Sequence, residues 1–176
     1  PEYVTGHKIY EYDLNWEEKN IAVIQSGDYL RTNSIWIEIR GDGRFNIRLR
    51  VPYWAKKGFF VKINGEEEKL AAKPGSYVTL EREWKDGDRI ELYIPFAFRL
   101  EPTPDVPNIV SIMYGPLVMV GKSCSTEYIE LDINENNISA RIKKTDDPLT
   151  FELDGILLVP NYAAWNCPYH AYFKIK

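Results

Sequence analysis

The chain has 176 residues and a formal net charge of −4. A chain of this length buries roughly 70% of its unfolded surface, so it can form a hydrophobic core without disulfides or metals. Its 22 basic residues are spread among 26 acidic ones, and no basic stripe is present to neutralise phosphates, so we expect no nucleic-acid partner. No apolar run reaches the roughly 18 to 20 residues of a bilayer-spanning helix, and no membrane partner is expected.

The chain begins at Pro1-Glu2-Tyr3, without an initiator methionine. These residues lack the basic and apolar regions of a signal peptide. We therefore expect the sequence to be the interior of a longer polypeptide, and it predicts no particular localisation.

Period-two alternation of apolar and polar residues dominates the first half of the chain and predicts strands. Residues 8–14 and 21–26 are short candidates, separated by a segment that can form a single helical turn. Isoleucines alternate with Trp36 and charged residues over residues 35–40, and a second alternating run covers residues 45–51. The glycines of Gly41-Asp42-Gly43 suit a tight turn, so these two runs are predicted to form a β-hairpin.

Three further alternating runs follow. Residues 59–63 lead into Asn64-Gly65, a dipeptide typical of two-residue hairpin turns, which predicts another strand immediately after it. Residues 77–80 and 90–94 are strands joined by a turn, and Pro95 ends the last of them because it lacks an amide donor. No segment has a sustained 3.6-residue apolar period, so very little helix is expected.

A proline-rich connector divides the sequence. Residues 101–108 contain three prolines, which stiffen an extended segment and exclude a central strand. We therefore predict two domains, a β-sandwich over residues 1–100 and a second β subdomain over residues 101–176. Whether the two halves fold separately is left open.

The second half also has strand composition. Residues 109–114 and 117–120 are nearly continuous apolar runs, interrupted by Gly115-Pro116, and this composition predicts burial on both faces. Residues 132–147 are polar and are expected to form an exposed loop. The last run, residues 169–176, is predicted to be a closing edge strand. The fold class is therefore all-β, an antiparallel, jelly-roll-like β-sandwich with a smaller β subdomain packed after the connector.

Candidate metal ligands are few. Cys167 and His170 are spaced as C-x-x-H, which suits zinc, but only two ligands are local, and Cys124 and His7 would have to complete the site. Two cysteines are too few for a disulfide framework, and whether they bridge depends on their Cα separation. The favoured interpretation is two half-buried free thiols, with no metal and no cofactor.

Candidate catalytic residues are weak as well. A glycoside hydrolase of the common kind needs two carboxyl groups about 5 to 10 Å apart, which a sequence alone does not place. The acidic cluster at residues 66–68 follows a turn, and Glu81 and Glu83 share one strand face. We interpret all of these as solvated surface, and no catalytic residue is predicted.

The aromatic content of 14% is high and includes five tryptophans. Exposed aromatic rings can serve as flat platforms for sugar rings, whereas buried rings fill a core or a docking face. Trp36, Trp16 and Trp165 are the carbohydrate-contact candidates. Trp36 is the strongest of them because it points to the polar side of its strand.

The order of several sequence phrases resembles one known family. The phrases are FNIRLRVPYWAK at 45–56, VKING at 61–65, PGSYVTL at 74–80, EWKDGD at 83–88, RLEPTPD at 99–105, YGPLV at 114–118 and, more weakly, LVP at 158–160 and YHAY at 169–172. Together they resemble the β-sandwich region that follows the catalytic barrel in β-L-arabinofuranosidases of glycoside hydrolase family 127 and the related family 146, formerly domain-of-unknown-function family 1680.

The resemblance implies a parent enzyme with an N-terminal (α/α)6 barrel that hydrolyses arabinofuranosidic linkages in plant glycans. In that family a zinc-bound cysteine and glutamates of the barrel carry the chemistry, and neither Cys124 nor Cys167 lies in a comparable cysteine-rich motif. The expected function is thus a non-catalytic accessory region that packs on and stabilises the barrel. The expected partners are that barrel, a second copy of the chain, and plant glycans. A carbohydrate-binding module for plant cell-wall glycans is the alternative, and an autonomous zinc enzyme is a third.

Overall fold

The computed structural model describes residues 12–176, and their regular secondary structure is nearly all β. The all-β prediction is confirmed. The chain divides into two compact units, the first ending at Pro95 and the second running from Phe96 to Lys176. Each unit has its own sheets and its own core.

The described part of the first unit contains eight strands and two short helical turns. In chain order they are β1 (Tyr12–Trp16), a 3-10 turn (Glu17–Lys19), β2 (Ile21–Ser26), α1 (Tyr29–Thr32), β3 (Ser34–Arg40), β4 (Gly43–Arg50), β5 (Phe60–Ile63), β6 (Glu66–Glu68), β7 (Tyr77–Trp84) and β8 (Arg89–Tyr93). The predicted strand over residues 8–14 lies partly outside the described residues. Residues 54–57 form turns and no helix.

These strands form two antiparallel sheets of unequal size. The larger has the order β1-β2-β3-β8-β5-β6, and the smaller pairs only β4 with β7. Alternate side chains point inward and form one apolar core, as the sequence alternation predicts. Its most deeply buried members are Ile39, Val51, Val61, Trp84 and Ile90.

The predicted hairpin between residues 35–40 and 45–51 is wrong. β3 pairs with β2 and β8, whereas β4 pairs with β7 in the other sheet, so Gly41-Asp42-Gly43 carries the chain across the sandwich. Two strands that face each other across a core show the same alternation as two strands paired in one sheet. The crossing is fixed by a hydrogen bond from the Gly41 N–H to the Asp86 carboxylate at 2.8 Å.

The hairpin predicted at Asn64-Gly65 is confirmed. β5 and β6 are antiparallel with Ile63 opposite Glu66, which leaves a two-residue loop. Both loop residues have positive φ, 53° and 87°, as the mirror-image turn of a β-hairpin requires.

Asp88 is a buried carboxylate that joins two turns of the first unit. It accepts hydrogen bonds from the Asn64 side-chain amide at 2.7 Å and from the Lys85 N–H at 2.8 Å. Asn64 in turn accepts the Arg89 N–H at 2.8 Å. Burial by itself raises the pKa of Asp88, but these hydrogen bonds and the nearby positive charges of Arg82 and Lys85 outweigh it, so the pKa lies below its ordinary value.

The second unit contains nine strands and two short helical turns. In chain order they are β9 (Phe98–Pro102), β10 (Ile109–Tyr114), β11 (Leu117–Lys122), β12 (Glu130–Leu131), α2 (Ile138–Arg141), β13 (Lys143–Lys144), β14 (Phe151–Leu153), β15 (Ile156–Pro160), a 3-10 turn (Asn161–Ala163), β16 (Tyr169–His170) and β17 (Phe173–Ile175). They form one mixed sheet in the order β12-β17-β10-β11-β15-β14-β13, with β9 paired to β10 and β16 paired to β11.

The division between the two units, after Pro95, comes earlier in the chain than the domain boundary predicted between residues 100 and 101. β9 pairs along its whole length with β10, and this pairing assigns the start of the proline-rich segment to the second unit. Independent folding of the two halves stays a prediction.

β11 is buried on both faces, as its composition predicts. Met119 and Val120 are adjacent, point to opposite faces, and are both fully buried. Val120 packs with Val159 and Ala164 on one face, so the second unit supplies that cover itself. The polar segment 132–147 also contributes to the core, since it contains the buried residues Ile133 and Ile138.

The expectation of a closing edge strand is wrong. β17 lies between two partners, antiparallel to β10 and parallel to β12. β12 is only two residues long, which is too short to leave a recognisable pattern. Among the residues described, no helix is long and apolar enough to cross a bilayer.

Gly41 and Gly65 form a matched pair for testing the sheet-crossing turn, because both have φ of 87°. A Cβ at Gly41 would lie 2.3 Å from the Asn20 carbonyl oxygen, whereas a Cβ at Gly65 would meet nothing within 4 Å. Gly65→Ala is expected to lower the free energy of unfolding by about 1 kcal/mol from backbone strain alone. Gly41→Ala adds a steric clash and should cost about 1–3 kcal/mol more. Urea unfolding followed by tryptophan fluorescence measures the difference, and equal losses would contradict the crossing geometry.

Asp88 makes the first unit sensitive to acid. Because its folded-state pKa is lowered, its stabilising contribution is present above the unfolded-state pKa of about 3.9 and is lost as pH falls through the folded-state pKa. Asp88→Asn is expected to lower stability at neutral pH and to flatten the acid limb of the stability profile. Asp13→Asn, a change at an exposed carboxylate, is the control. An unchanged acid limb in Asp88→Asn would contradict the assignment.

Candidate functional site

The outer face of the six-stranded sheet combines aromatic and charged side chains. Cross-strand pairing places Trp36 opposite Glu91, and Glu91 opposite Lys62, in one row across the sheet. Tyr93 and Phe60 are paired in the neighbouring row. Because opposed residues of paired strands share a face, all five point away from the core.

Phe60 and Tyr93 form a stacked pair with ring centroids 6.1 Å apart and planes inclined by 30°. Their exposed fractions are 43% and 41%. The two rings and three charged residues, Lys62, Glu67 and Glu91, line a hollow of about 330 Å³. We call this hollow the aromatic groove. It joins an apolar surface to hydrogen-bonding groups, as small-molecule sites do.

Trp36 lies on the same face but is half-buried. The Arg89 guanidinium lies 4.1 Å from the centre of its ring, a cation–π arrangement that covers one ring face. Trp36 therefore lies next to the aromatic groove, opposite Glu91. Its ring is already in contact with the Arg89 guanidinium.

Trp16 lies on the opposite face of the same sheet. Its partner on β2 is Ile21, which belongs to the core, and its ring meets the Phe45 ring edge-to-face at 6.4 Å. Lys19 lies over the Trp16 ring at 4.2 Å. Leu14, on the same face of β1, is 65% exposed. We call Leu14 and Trp16 the apolar edge.

Trp165 belongs to the second unit and follows its 3-10 turn, Asn161–Ala163. It is the most exposed large apolar side chain among those described, at 83%. Of the three tryptophans proposed as carbohydrate contacts, Trp36 and Trp16 are not brought together, because they lie on opposite faces of one sheet. Trp165 lies in the other unit. Their contact with carbohydrate stays a prediction.

Sequence reasoning missed Phe60 and Tyr93. The alternation of residues 59–63 does assign Phe59 inward and Phe60 outward, and the next runs assign Tyr93 outward in the same way. The pairing of β5 with β8 is what makes the two rings neighbours, and these strands are about 30 residues apart in the chain. No local pattern contains that pairing.

The acidic residues considered for catalysis are exposed or engaged with cations. Glu68 lies 3.7 Å from the Arg82 guanidinium, and Glu83 lies 3.0 Å from the Lys85 ammonium. Glu68, Glu81 and Glu83 line a shallow hollow of about 420 Å³ beside β7. These contacts are typical of a solvated, charge-paired surface.

The candidate metal ligands do not converge in the described part of the chain. The Cys167 thiol lies 3.6 Å from the Ala164 carbonyl oxygen, and the His170 ring nitrogen Nε2 lies 2.9 Å from the Ser125 carbonyl oxygen. Cys124 is exposed, and both cysteines are free thiols. Over residues 12–176 no group of three or more histidine, cysteine or acidic side chains could hold a metal ion. His7 lies outside the described residues.

Comparisons with known proteins find this fold in glycoside hydrolases. The family model "Beta-L-arabinofuranosidase, GH127 middle domain" matches residues 6–96. A solved glycoside hydrolase superposes with a TM-score of 0.71 at 20% identity, covering 94% of this chain and 34% of that one. A family 127 β-L-arabinofuranosidase from Geobacillus stearothermophilus T6 gives 0.67 at 18% identity, covering 94% and 32%. A further family 127 β-arabinofuranosidase gives 0.66 at 17% identity, covering 94% and 33%. No curated protein sequence matches.

The two all-β units thus have the fold found in part of these glycoside hydrolase chains, and the chain spans about a third of their length. The family match covers more than half of the sequence, from the first strands to the end of the first unit. The chain belongs to the glycoside hydrolase family 127 β-L-arabinofuranosidases, as a domain related to the family's middle domain.

Proposed function

We propose that this chain is a non-catalytic accessory region of a larger β-L-arabinofuranosidase-like glycoside hydrolase. In this proposal it packs on an N-terminal (α/α)6 catalytic barrel and stabilises it. The family match and the coverage of about a third of the related solved chains support a role as one part of a larger protein. The packing partner itself is the proposal.

The observation that carries the packing role is the apolar edge. The two-stranded sheet β4-β7 faces a six-stranded sheet, so among the described strands it is too narrow to cover the whole core face of the larger sheet. Leu14 points to the core side of the sheet and yet is 65% exposed, and Trp16 beside it is 38% exposed. Apolar side chains on the core face of a sheet are stabilised when another element covers them.

The aromatic contacts behind the apolar edge make it a firm surface. Trp16 contacts Phe45 at 6.4 Å, and Phe45 contacts the fully buried Trp84 at 6.0 Å. The Trp84 indole N–H donates to the Phe45 carbonyl oxygen at 2.9 Å. A partner that covers Trp16 would therefore rest on rings that are anchored in the core, and this arrangement favours a stable docking contact.

The accessory role predicts no turnover by this chain. Incubated with synthetic arabinofuranosides and arabinan oligosaccharides, it is expected to release no arabinose above a buffer blank. The acidic residues considered for catalysis are charge-paired or exposed, and residues 12–176 contain no group of side chains that could hold a metal ion. A catalytically active family 127 enzyme is the positive control for the assay. Arabinose release by the chain would overturn the non-catalytic assignment.

The docking role predicts self-association through the apolar edge when no partner is present. Leu14→Asp is expected to raise the dissociation constant of the self-associated species at least about tenfold, because it removes a buried leucine from the contact. Sedimentation over a concentration series measures this. Leu157→Asp changes another exposed leucine, in the second unit, and is expected to leave the dissociation constant unchanged. A wild-type chain that is monomeric throughout, or equal effects of the two variants, would count against the docking surface.

A further inference from the structure

We propose that the aromatic groove on the outer face of the six-stranded sheet binds an uncharged oligosaccharide. This site lies on the opposite face of the sheet from the apolar edge, and it is separate from the packing role. The choice of arabinan as first probe rests on the proposed function. The site itself rests on the geometry of Phe60, Tyr93 and their charged neighbours.

The aromatic pair provides a surface suited to sugar rings. An aromatic ring carries partial negative charge on its faces, and the C–H hydrogens on one side of a sugar ring carry partial positive charge. Phe60 and Tyr93 are stacked at 6.1 Å and are each exposed by about two-fifths. The Tyr93 phenol adds a hydrogen-bonding group at the border of the surface, which an amphipathic ligand can use.

The Phe60 ring contacts the backbone of Gly58 as well as the Tyr93 ring. A Cβ added at Gly58 would lie 2.4 Å from one carbon of the Phe60 ring and 2.6 Å from another. The ring therefore packs directly on the Gly58 backbone, where no other residue type would leave room. A ring held by such contacts loses little conformational entropy when a ligand binds, and this favours affinity.

The charged residues of the groove are available to a ligand. Lys62 stands opposite Glu91 on β8 and opposite Glu67 on β6. Within the described part of the chain, none of these three side chains takes part in a hydrogen bond or ion pair. Carboxylates accept hydrogen bonds from hydroxyl groups and an ammonium donates to them, so the three side chains can bind the hydroxyl groups at the edge of a sugar.

The charge of the groove selects for an uncharged ligand. Two carboxylates and one ammonium give the lining a net charge of −1. Arg89, a further cation on this face, is engaged with the Trp36 ring at 4.1 Å. A uronate-containing chain would bring its carboxylates against Glu67 and Glu91, which is unfavourable. A neutral pentose or hexose chain meets no such repulsion.

The test is binding of the 176-residue chain to neutral arabinan oligosaccharides, measured by isothermal titration calorimetry, with oligogalacturonate as the acidic comparison. Phe60→Ala and Tyr93→Ala are each expected to weaken binding about tenfold, the loss of one ring contact. Tyr77→Ala is the matched control, since Tyr77 is 49% exposed on the outer face of the other sheet, and it should bind as the wild type does. Thermal unfolding of each variant checks that the fold is retained.

A second variant tests the groove without removing a ring. Gly58→Ala is expected to displace the Phe60 ring and to weaken binding by a similar factor, with both aromatic residues still present.

A third variant tests the charge of the groove. Glu67→Gln keeps the shape of the side chain and removes one negative charge, so it should narrow the difference in affinity between neutral and acidic oligosaccharides.

The outcomes separate this site from the docking role. Loss of binding in the two ring variants but not in Tyr77→Ala supports the site, and binding of another neutral glycan with the same dependence supports it too, while counting against arabinan as the ligand. No binding of any neutral oligosaccharide, a preference for oligogalacturonate, or binding that survives both ring variants would overturn it. None of these results depends on Leu14 or on arabinose release.

Discussion

The structure of the first unit depends on the packing of a six-stranded sheet against a sheet of only two strands. The core lies where the two sheets overlap, around Val51, Trp84 and Ile90. At the edge of the larger sheet, Leu14 of β1 is exposed although it points to the core side. The size difference between the sheets thus creates both the core and the apolar edge.

The larger sheet, with six strands, also has a broader outer face than the two-stranded sheet. Three adjacent strands, β3, β8 and β5, present aromatic and charged side chains in register on that face. A two-stranded sheet has no central strand with neighbours on both sides, and the outer face of β4-β7 carries Tyr77 beside Arg48 without a second ring. The wider sheet is therefore where an aromatic pair can be assembled from separate strands.

The sequence predicts the strands and their inward faces well because alternation is a local property. Ile37 and Ile39 are buried and Trp36 is not, as their spacing requires. Strand pairing is a non-local property, and there the predictions fail: residues 35–40 and 45–51 alternate alike but lie in different sheets, and β17 is interior because of a two-residue partner. The aromatic groove was missed for the same reason, since only the pairing of β5 with β8 brings Phe60 to Tyr93.

The sheet-crossing turn at Gly41-Asp42-Gly43 also bears on how the first unit forms. β3 can pair with β8, and β4 with β7, only after the later strand has been synthesised. Each of these pairs joins strands more than 25 residues apart in the chain. Non-local pairing of this kind slows folding, because loop-closure entropy must be overcome before the contacts stabilise anything. During synthesis on the ribosome, β3 and β4 emerge well before their partners, and their apolar faces stay open to chaperones or to other chains until residues near Tyr93 have been made.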